Sequence, residues 1–237
     1  MIIGPYINSA AVLFGAIGGA LFAHRIPERV RVAMPLTFGV ASMAMGVVMI
    51  GQVTHMPVMV LASILGALLG ELMWLERGIG KLGAQTKSLV EKVAPAPAGI
   101  THAEFLEKFV AILVLFGASG TGIFGAMNEG MTGDASILIA KSFLDFFTAA
   151  IFAITLGYSV ATIAVVVLAV QLLLAYGATL IMPLTTPPMI ADFKAVGGLV
   201  MLATGLRICG IKSFPVANML PALLLAMPIS ALWSRMF

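Results

Sequence analysis

Lys141 and Asp145 stand four residues apart inside the stretch 137–156 (ILIAKSFLDFFTAAIFAITL), which is otherwise apolar. On a helix that spacing puts both side chains on one face. A charge in lipid is costly unless it faces the bundle interior or water, so an ionisable pair at this depth marks a route for ions, protons or charged solutes. At about 1.5 Å per residue from a helix start near residue 136, Lys141 lies roughly 8–10 Å deep and Asp145 roughly 15 Å, near the middle of a hydrocarbon core about 30 Å thick. In one reading Asp145 carries a proton or binds a cation, while Lys141 is its internal counter-ion or holds an anionic substrate. In the other, the pair neutralises itself and fixes helix packing.

The polar residues around the pair extend this site. Upstream lies GASGTGIFGAMNEGMTGD, residues 117–134, where Gly117, Gly120, Gly122 and Gly125 each weaken a helix by about 1 kcal/mol relative to alanine. A broken spanning helix is one reading, with carbonyls of 117–125 turned toward a cation; tight packing of small residues is the other. Asn128 and Glu129 would offer oxygens at the outer end of the route, and Asp134 is placed to cap the next helix. Gln171 falls mid-span, where it either lines the route or hydrogen-bonds across the bundle. The pathway set is therefore Asp145, Lys141, Glu129, Asn128, Gln171, Gly120 and Gly122, with Asn8, Asp134, Glu71 and Asn218 secondary. Asn8 and Asn218 read as packing or capping groups, and Glu71 as a structural residue within reach of Arg77. Asp192 falls at the outer edge of the seventh span.

The elements that carry these residues are membrane helices. Of 237 residues, 61% are hydrophobic and 10% charged, and the mean hydropathy is +1.11, far from the roughly 25% charged of soluble domains. Only helices and closed barrels satisfy their backbone in lipid, and the apolar runs are long and non-alternating, so helices are predicted. They fall near 6–23, 34–52, 57–75, 105–127, 136–155, 158–182, 194–211 and 215–233. This is an all-α polytopic transmembrane bundle of about eight spans (7–8), one domain over 1–237. The first span lacks a preceding Lys or Arg and is followed by His24 and Arg25, the reverse of a signal peptide, so it is expected to be retained.

With both termini outside, ten of the thirteen basic residues fall on the cytoplasmic side, as the positive-inside rule requires. The linker 76–104, with Gly78, Gly80, Gly83 and the run APAPAG at 94–99, reads as a cytoplasmic connection carrying a short interfacial helix at 81–92. Gly39, Gly46 and Gly51 recur at the same spacings as Gly198, Gly205 and Gly210, and Pro57-Val58 recurs as Pro215-Val216. If helices 1–3 match helices 6–8, the odd offset inverts one copy, giving the inverted-repeat plan of many secondary transporters.

Other chemistries are disfavoured. His24, His55 and His102 form no ligand spacing, and Met43, Met45 and Met49 read as packing more readily than soft-metal ligands, so no metal site is expected. Cys209 excludes an internal disulfide, no nucleophile–base set supports an enzyme, and no basic patch with interleaved aromatics supports nucleic-acid binding. Gly15-x-x-x-Gly19 and Gly66-x-x-x-Gly70 suit either dimerisation or internal contacts.

The segment GAMNEGMTGDASILIAKSFLDFFTAAIFAITLG (125–157) resembles the signature of the bacterial YqgA family of inner-membrane proteins, a domain of unknown function. So do residues 4–39, GALLGEL at 66–72 and VANMLPAL at 216–223. The matching positions are Asn8, Gly15, Gly39, Glu71, Gly130, Gly133, Asp134, Lys141, Asp145, Gln171, Asn218 and Pro221. Where the family pattern has a G-P-M-A-I-like stretch, this chain has Gly120-Thr121-Gly122-Ile123-Phe124, which keeps the break and removes the proline. The resemblance implies an inner-membrane location and a general transport role, without a substrate.

The residues and the resemblance together point to a small transporter or channel for an ion or ion-coupled solute, expected to be a homodimer. It would need no cofactor beyond a monovalent cation or proton. The competing reading is a membrane-embedded accessory or scaffold subunit without transport of its own.

Overall fold

The computed structural model describes residues 1–22, 25, 27–85, 101–117 and 119–236. Its elements are α1 (Gly4–Leu21), α2 (Glu28–Ile50), α3 (Met56–Leu72), α4 (Leu75–Gln85), α5 (His102–Gly117), α6 (Gly120–Thr132), α7 (Ser136–Leu156), α8 (Ile163–Ile181), α9 (Pro187–Ile208), α10 (Val216–Met219) and α11 (Pro221–Met236). Among the described residues there is no strand. The Pro- and Ala-rich run at 94–99 lies outside them, as does His24.

Element type follows the apolar runs; the ends differ from expectation for local reasons. Helices α1, α3 and α9 start with proline at N1 or N2, where the missing N–H costs nothing. The predicted start of the seventh span at 194 is corrected to Pro187, and Asp192 lies inside α9 rather than at its edge. Helix α2 begins six residues earlier than expected and runs through Pro35. Helix α3 ends at a bend of 48° before α4, where Trp74 takes a positive φ of 55°. Of the interfacial helix expected at 81–92, residues 81–85 form the end of the amphipathic α4, and 86–92 lie outside the described residues.

Among the described residues, six helical runs are long and apolar enough to cross a membrane, or seven if the bent pair α3–α4 counts as one span. One of them, Ser136–Leu184, has 49 residues, about 73 Å at 1.5 Å each, more than twice the hydrocarbon thickness. Gly157, at φ 65°, interrupts it and starts a 3-10 segment, Gly157–Thr162. Side chains such as Phe143, Leu173 and Leu180 are exposed, as expected of a surface solvated by lipid tails.

Two apolar cores organise the bundle. One joins α1, α5, α7 and α8 around Phe105, Phe109, Leu156 and Ile163. The other joins α3, α6, α9 and α11 around Phe124, Phe193, Met201 and Leu223. Helix α2 lies against α9, where Gly39 meets Gly205 and Gly46 meets Gly198 backbone to backbone. Gly15 and Gly19 press on Phe146 and Ala150 of α7, and Gly66 and Gly70 on Ala222 and Asn218. Both small-residue motifs therefore serve contacts within this chain.

Candidate functional site

Between the two cores runs a cavity of about 650 Å³. Its outer end carries Glu76, Lys108 and Arg207, all partly exposed, and its inner end Lys141 and Asp145. The wall between is largely apolar, with Phe38, Ile112 and Phe116, and is interrupted by Ser119, Thr121, Thr148 and Thr204. Glu76 and Glu104, the two ends of the 76–104 connection, lie at this mouth, so the cavity opens on the side where that linker leaves and rejoins the bundle. Arg207 donates to Glu76 at its mouth, while Glu76 Oε2 accepts the Ala217 N–H (2.8 Å) that starts α10.

At the inner end a donor–acceptor chain ties three helices. Gln171 Nε2 on α8 donates to Asn8 Oδ1 on α1 (2.6 Å), and Asn8 Nδ2 donates to Asp145 Oδ2 on α7 (2.9 Å). The Lys141 ammonium donates to the same carboxylate oxygen, and it stands 5.9 Å from the centroid of the Phe116 ring. All four polar residues are at most 7% exposed. The direction of donation is fixed by the carboxylate, which only accepts. It leaves Gln171 Oε1 without a partner, one of two such buried side-chain oxygens among the described residues, the other being Asn128 Oδ1.

The comparisons with known proteins agree with this architecture. The family model described as "Protein of unknown function (DUF554)" matches residues 3–231. The chain belongs to the DUF554 family. It is 59% identical over 237 residues, the whole of both chains, to the uncharacterized protein YqgA of Escherichia coli (strain K12). It is 27% identical over 228 residues, 94% of this chain and 93% of the relative, to the uncharacterized membrane protein YdfK of Bacillus subtilis (strain 168). No solved structure matches it. The apolar helices, together with a relative named as a membrane protein, make this DUF554 chain a multi-pass membrane protein.

Within the DUF554 fold the sequence-derived residues divide into groups. Lys141, Asp145, Gln171, Asn8 and Gly122 share one site: a Cβ on Gly122 would lie 3.1 Å from Lys141 Cε and 3.3 Å from Gln171 Nε2, so the glycine makes room for both. Gly120 is in the cavity wall, packed against Val200 and Val216. Asn128 and Glu129 lie elsewhere, two turns or about 10 Å along α6 from Gly122. Glu129 is 1% exposed and accepts the N–H groups of Ile3 (2.7 Å) and Gly4 (3.0 Å) at the start of α1. Asn128 donates to the carbonyl of Asp134. The N-cap of α7 is Ala135, with no side-chain cap bond, rather than Asp134; Asp134, one residue earlier, accepts the Ser136 N–H, and that bond holds its carboxyl below the usual carboxylate range. Glu71 pairs with Asn218 rather than Arg77, whose guanidinium sits 4.0 Å from the Trp74 ring centroid.

Helix α5 ends at Gly117 and α6 begins at Gly120. Residues 120–125 are regular α-helix, so their carbonyls are spent inside α6, and of the expected 117–125 carbonyls only that of Gly117 lies at a helix end. The amide end of α6 is capped by Ser119 Oγ, which accepts from the Gly122 N–H over a long 3.4 Å.

Sequence reasoning missed the way acidic side chains from one helix close the amino end of another. Asp192, fully buried, accepts the N–H groups of Thr54 (3.1 Å) and His55 (2.7 Å), contacts His55 Nδ1 at 2.8 Å and accepts from Ser230. Glu129 does the same for α1 and Glu76 for α10. The signal was faint: each capped start carries a proline, Pro5, Pro57 or Pro215, where orphan N–H groups need an acceptor.

Proposed function

We propose that this protein is a small transporter or channel that moves an ion, or a solute coupled to one, through the cavity that ends at Lys141 and Asp145. One observation carries the reading: a buried charged pair at mid-bundle borders a cavity reaching a charged mouth, where a purely structural pair is expected in dry packing. Asp145 is the central carboxylate, Lys141 its counter-ion, and Asn8 and Gln171 the amides that orient it. Glu129 and Asn128, first read as outer pathway groups, serve in this proposal as supports for α1 and for the α6–α7 turn.

The reading includes eight crossings, with α7 and α8 as separate spans, α5–α6 as one broken span and α10–α11 as another. An inverted repeat is supported by the glycine contacts. If Gly39 corresponds to Gly198 and Gly46 to Gly205, the Gly39–Gly205 contact maps onto the Gly198–Gly46 contact, as a two-fold axis in the membrane plane requires. The reading has the cavity mouth, with its basic residues, on the cytoplasmic side of a bacterial inner membrane and both termini outside, which the positive-inside rule favours.

The scaffold reading keeps one favourable observation, the mutual neutralisation of Lys141 and Asp145. Ion flux in liposomes separates the two readings. Asp145→Asn lowers flux at least tenfold if the carboxylate serves permeation; unchanged flux removes Asp145 from any transport mechanism.

A further inference from the structure

We propose that the cavity ending at Lys141 and Asp145 binds a small zwitterion with an apolar body, the chemistry of an α-amino acid that carries an aliphatic or aromatic side chain. Its ammonium goes to the free oxygen of Asp145, its carboxylate to Lys141, and its side chain lies along the apolar wall toward the linker side. This rests on the transport reading of the same cavity and names the class of its substrate.

Size and wall argue against a bare ion. The cavity holds about 650 Å³, whereas an inorganic ion needs little more room than a water molecule, about 30 Å³. Sites for organic ligands run to roughly 300–1,000 Å³ and are mostly apolar, with a few polar groups converging at one place to fix orientation. Phe38 of α2, Ile112 and Phe116 of α5, and Ile151 and Phe152 of α7 build such a wall here, and among the described residues ionised groups line the cavity only at its two ends. Along α7 the lining runs from Asp145 to Leu156, about 16 Å at 1.5 Å per residue, so a head group at the pair and an apolar body occupy different levels.

The charge balance selects a neutral occupant. Lys141 and Asp145 together carry no net charge, and at the mouth Lys108 pairs with Glu104 and Arg207 with Glu76. A lone cation or anion set against the inner pair would add a buried charge without a partner, and a zwitterion adds none. Both members of the pair keep bonding capacity. Asp145 Oδ2 accepts from Lys141 and Asn8, while Oδ1 has no partner among the described residues and the side chain is 10% exposed where it lines the cavity. The Lys141 ammonium has three donors and spends one on Asp145. In an α-amino acid both charges are attached to one carbon, so a single head group reaches both members of a contacting pair without separating them.

The test is thermal-stability titration of the purified full chain in detergent with L-phenylalanine and L-leucine, against glycine, phenethylamine and hydrocinnamate at constant ionic strength. Glycine keeps the head group and lacks the body; phenethylamine and hydrocinnamate keep the body and one charge each. Phenylalanine or leucine is expected to stabilise the chain saturably, at a concentration at least tenfold below that needed of any of the three controls. The double variant Lys141→Met/Asp145→Asn is expected to show no saturable shift, and Ile151→Trp, which narrows the cavity and leaves the pair in place, to raise the half-saturating concentration several-fold. Equal response to glycine or to either singly charged analogue overturns the proposal, as do an unchanged response in the double variant and the absence of a response to both amino acids. Stabilisation by added phospholipid alone would give the cavity to a lipid chain and overturn it too. Saturable amino-acid binding without uptake into liposomes would sink the transport reading and leave the zwitterion site standing; ion flux without amino-acid binding would do the reverse.

Discussion

Removing one charge of the buried pair is predicted to cost far more than removing both. Breaking a buried pair costs about 3–5 kcal/mol when one ion is left uncompensated, whereas replacing both by neutral groups is close to neutral. The two losses differ here. The Lys141 side chain is 4% exposed, with Asp145 its one ionic partner, so Asp145→Asn leaves a stranded ammonium and sits near about 3–4 kcal/mol. The Asp145 side chain is 10% exposed and keeps the Asn8 bond, so Lys141→Met sits nearer about 2–3 kcal/mol. The double variant Lys141→Met/Asp145→Asn keeps an acceptor for Asn8 and is expected within about 1 kcal/mol of wild type. At roughly 2–4 °C per kcal/mol for a chain of this size, the singles lower the apparent Tm by about 4–16 °C and the double by under about 4 °C. The assay is a double-mutant cycle on thermal unfolding in detergent, paired with flux in liposomes. Additive losses, with the double as unstable as the sum of the singles, would refute the coupling. A folded double variant that still conducts would assign the pair to packing.

Two further predictions follow from the helix caps. Glu129→Ala strips three hydrogen-bond contacts to the start of α1 and is expected to cost about 2 kcal/mol in thermal unfolding while leaving flux through the cavity unchanged in protein that stays folded. Asp134→Ala removes the carboxylate that accepts the Ser136 N–H at the start of α7, costing about 1 kcal/mol at neutral pH. Because that carboxyl is depressed in the folded chain, its contribution is present above the unfolded carboxylate pKa and is lost as pH falls through the lower folded value. The variant and wild-type stabilities should therefore converge in acid.

The charged pair could be read from sequence because two ionic residues in an apolar run need a reason, and spacing by four gives them a shared face. The break was legible too, from glycines crowded at 117–125, but composition does not say where the helix stops and resumes. A break leaves carbonyls on the helix that ends and amides on the one that begins, and here those ends are Gly117 and Gly120, so most of the glycine run lies inside α6. The partners of Glu129 and Asp192 were out of reach for another reason. The N–H groups they accept lie 125 to 138 residues away along the chain, and nothing local distinguishes such a cap from a pathway carboxylate. The same holds for Asn8 and Gln171, 163 residues apart, each polar in an apolar helix and joined only by the fold.

Water access to the buried pair from the linker side is the point on which the account turns, and cysteine labelling measures it. Cys209 is the sole native cysteine, so Cys209→Ser provides the background for single cysteines at Thr148, midway along the cavity, and at Leu173, which is exposed on the outer, lipid-facing surface of α8. In oriented vesicles a membrane-impermeant thiosulfonate should modify position 148 from the linker side alone and leave position 173 untouched. Failure to label position 148 from that side, or labelling of it from the opposite side only, would contradict the account.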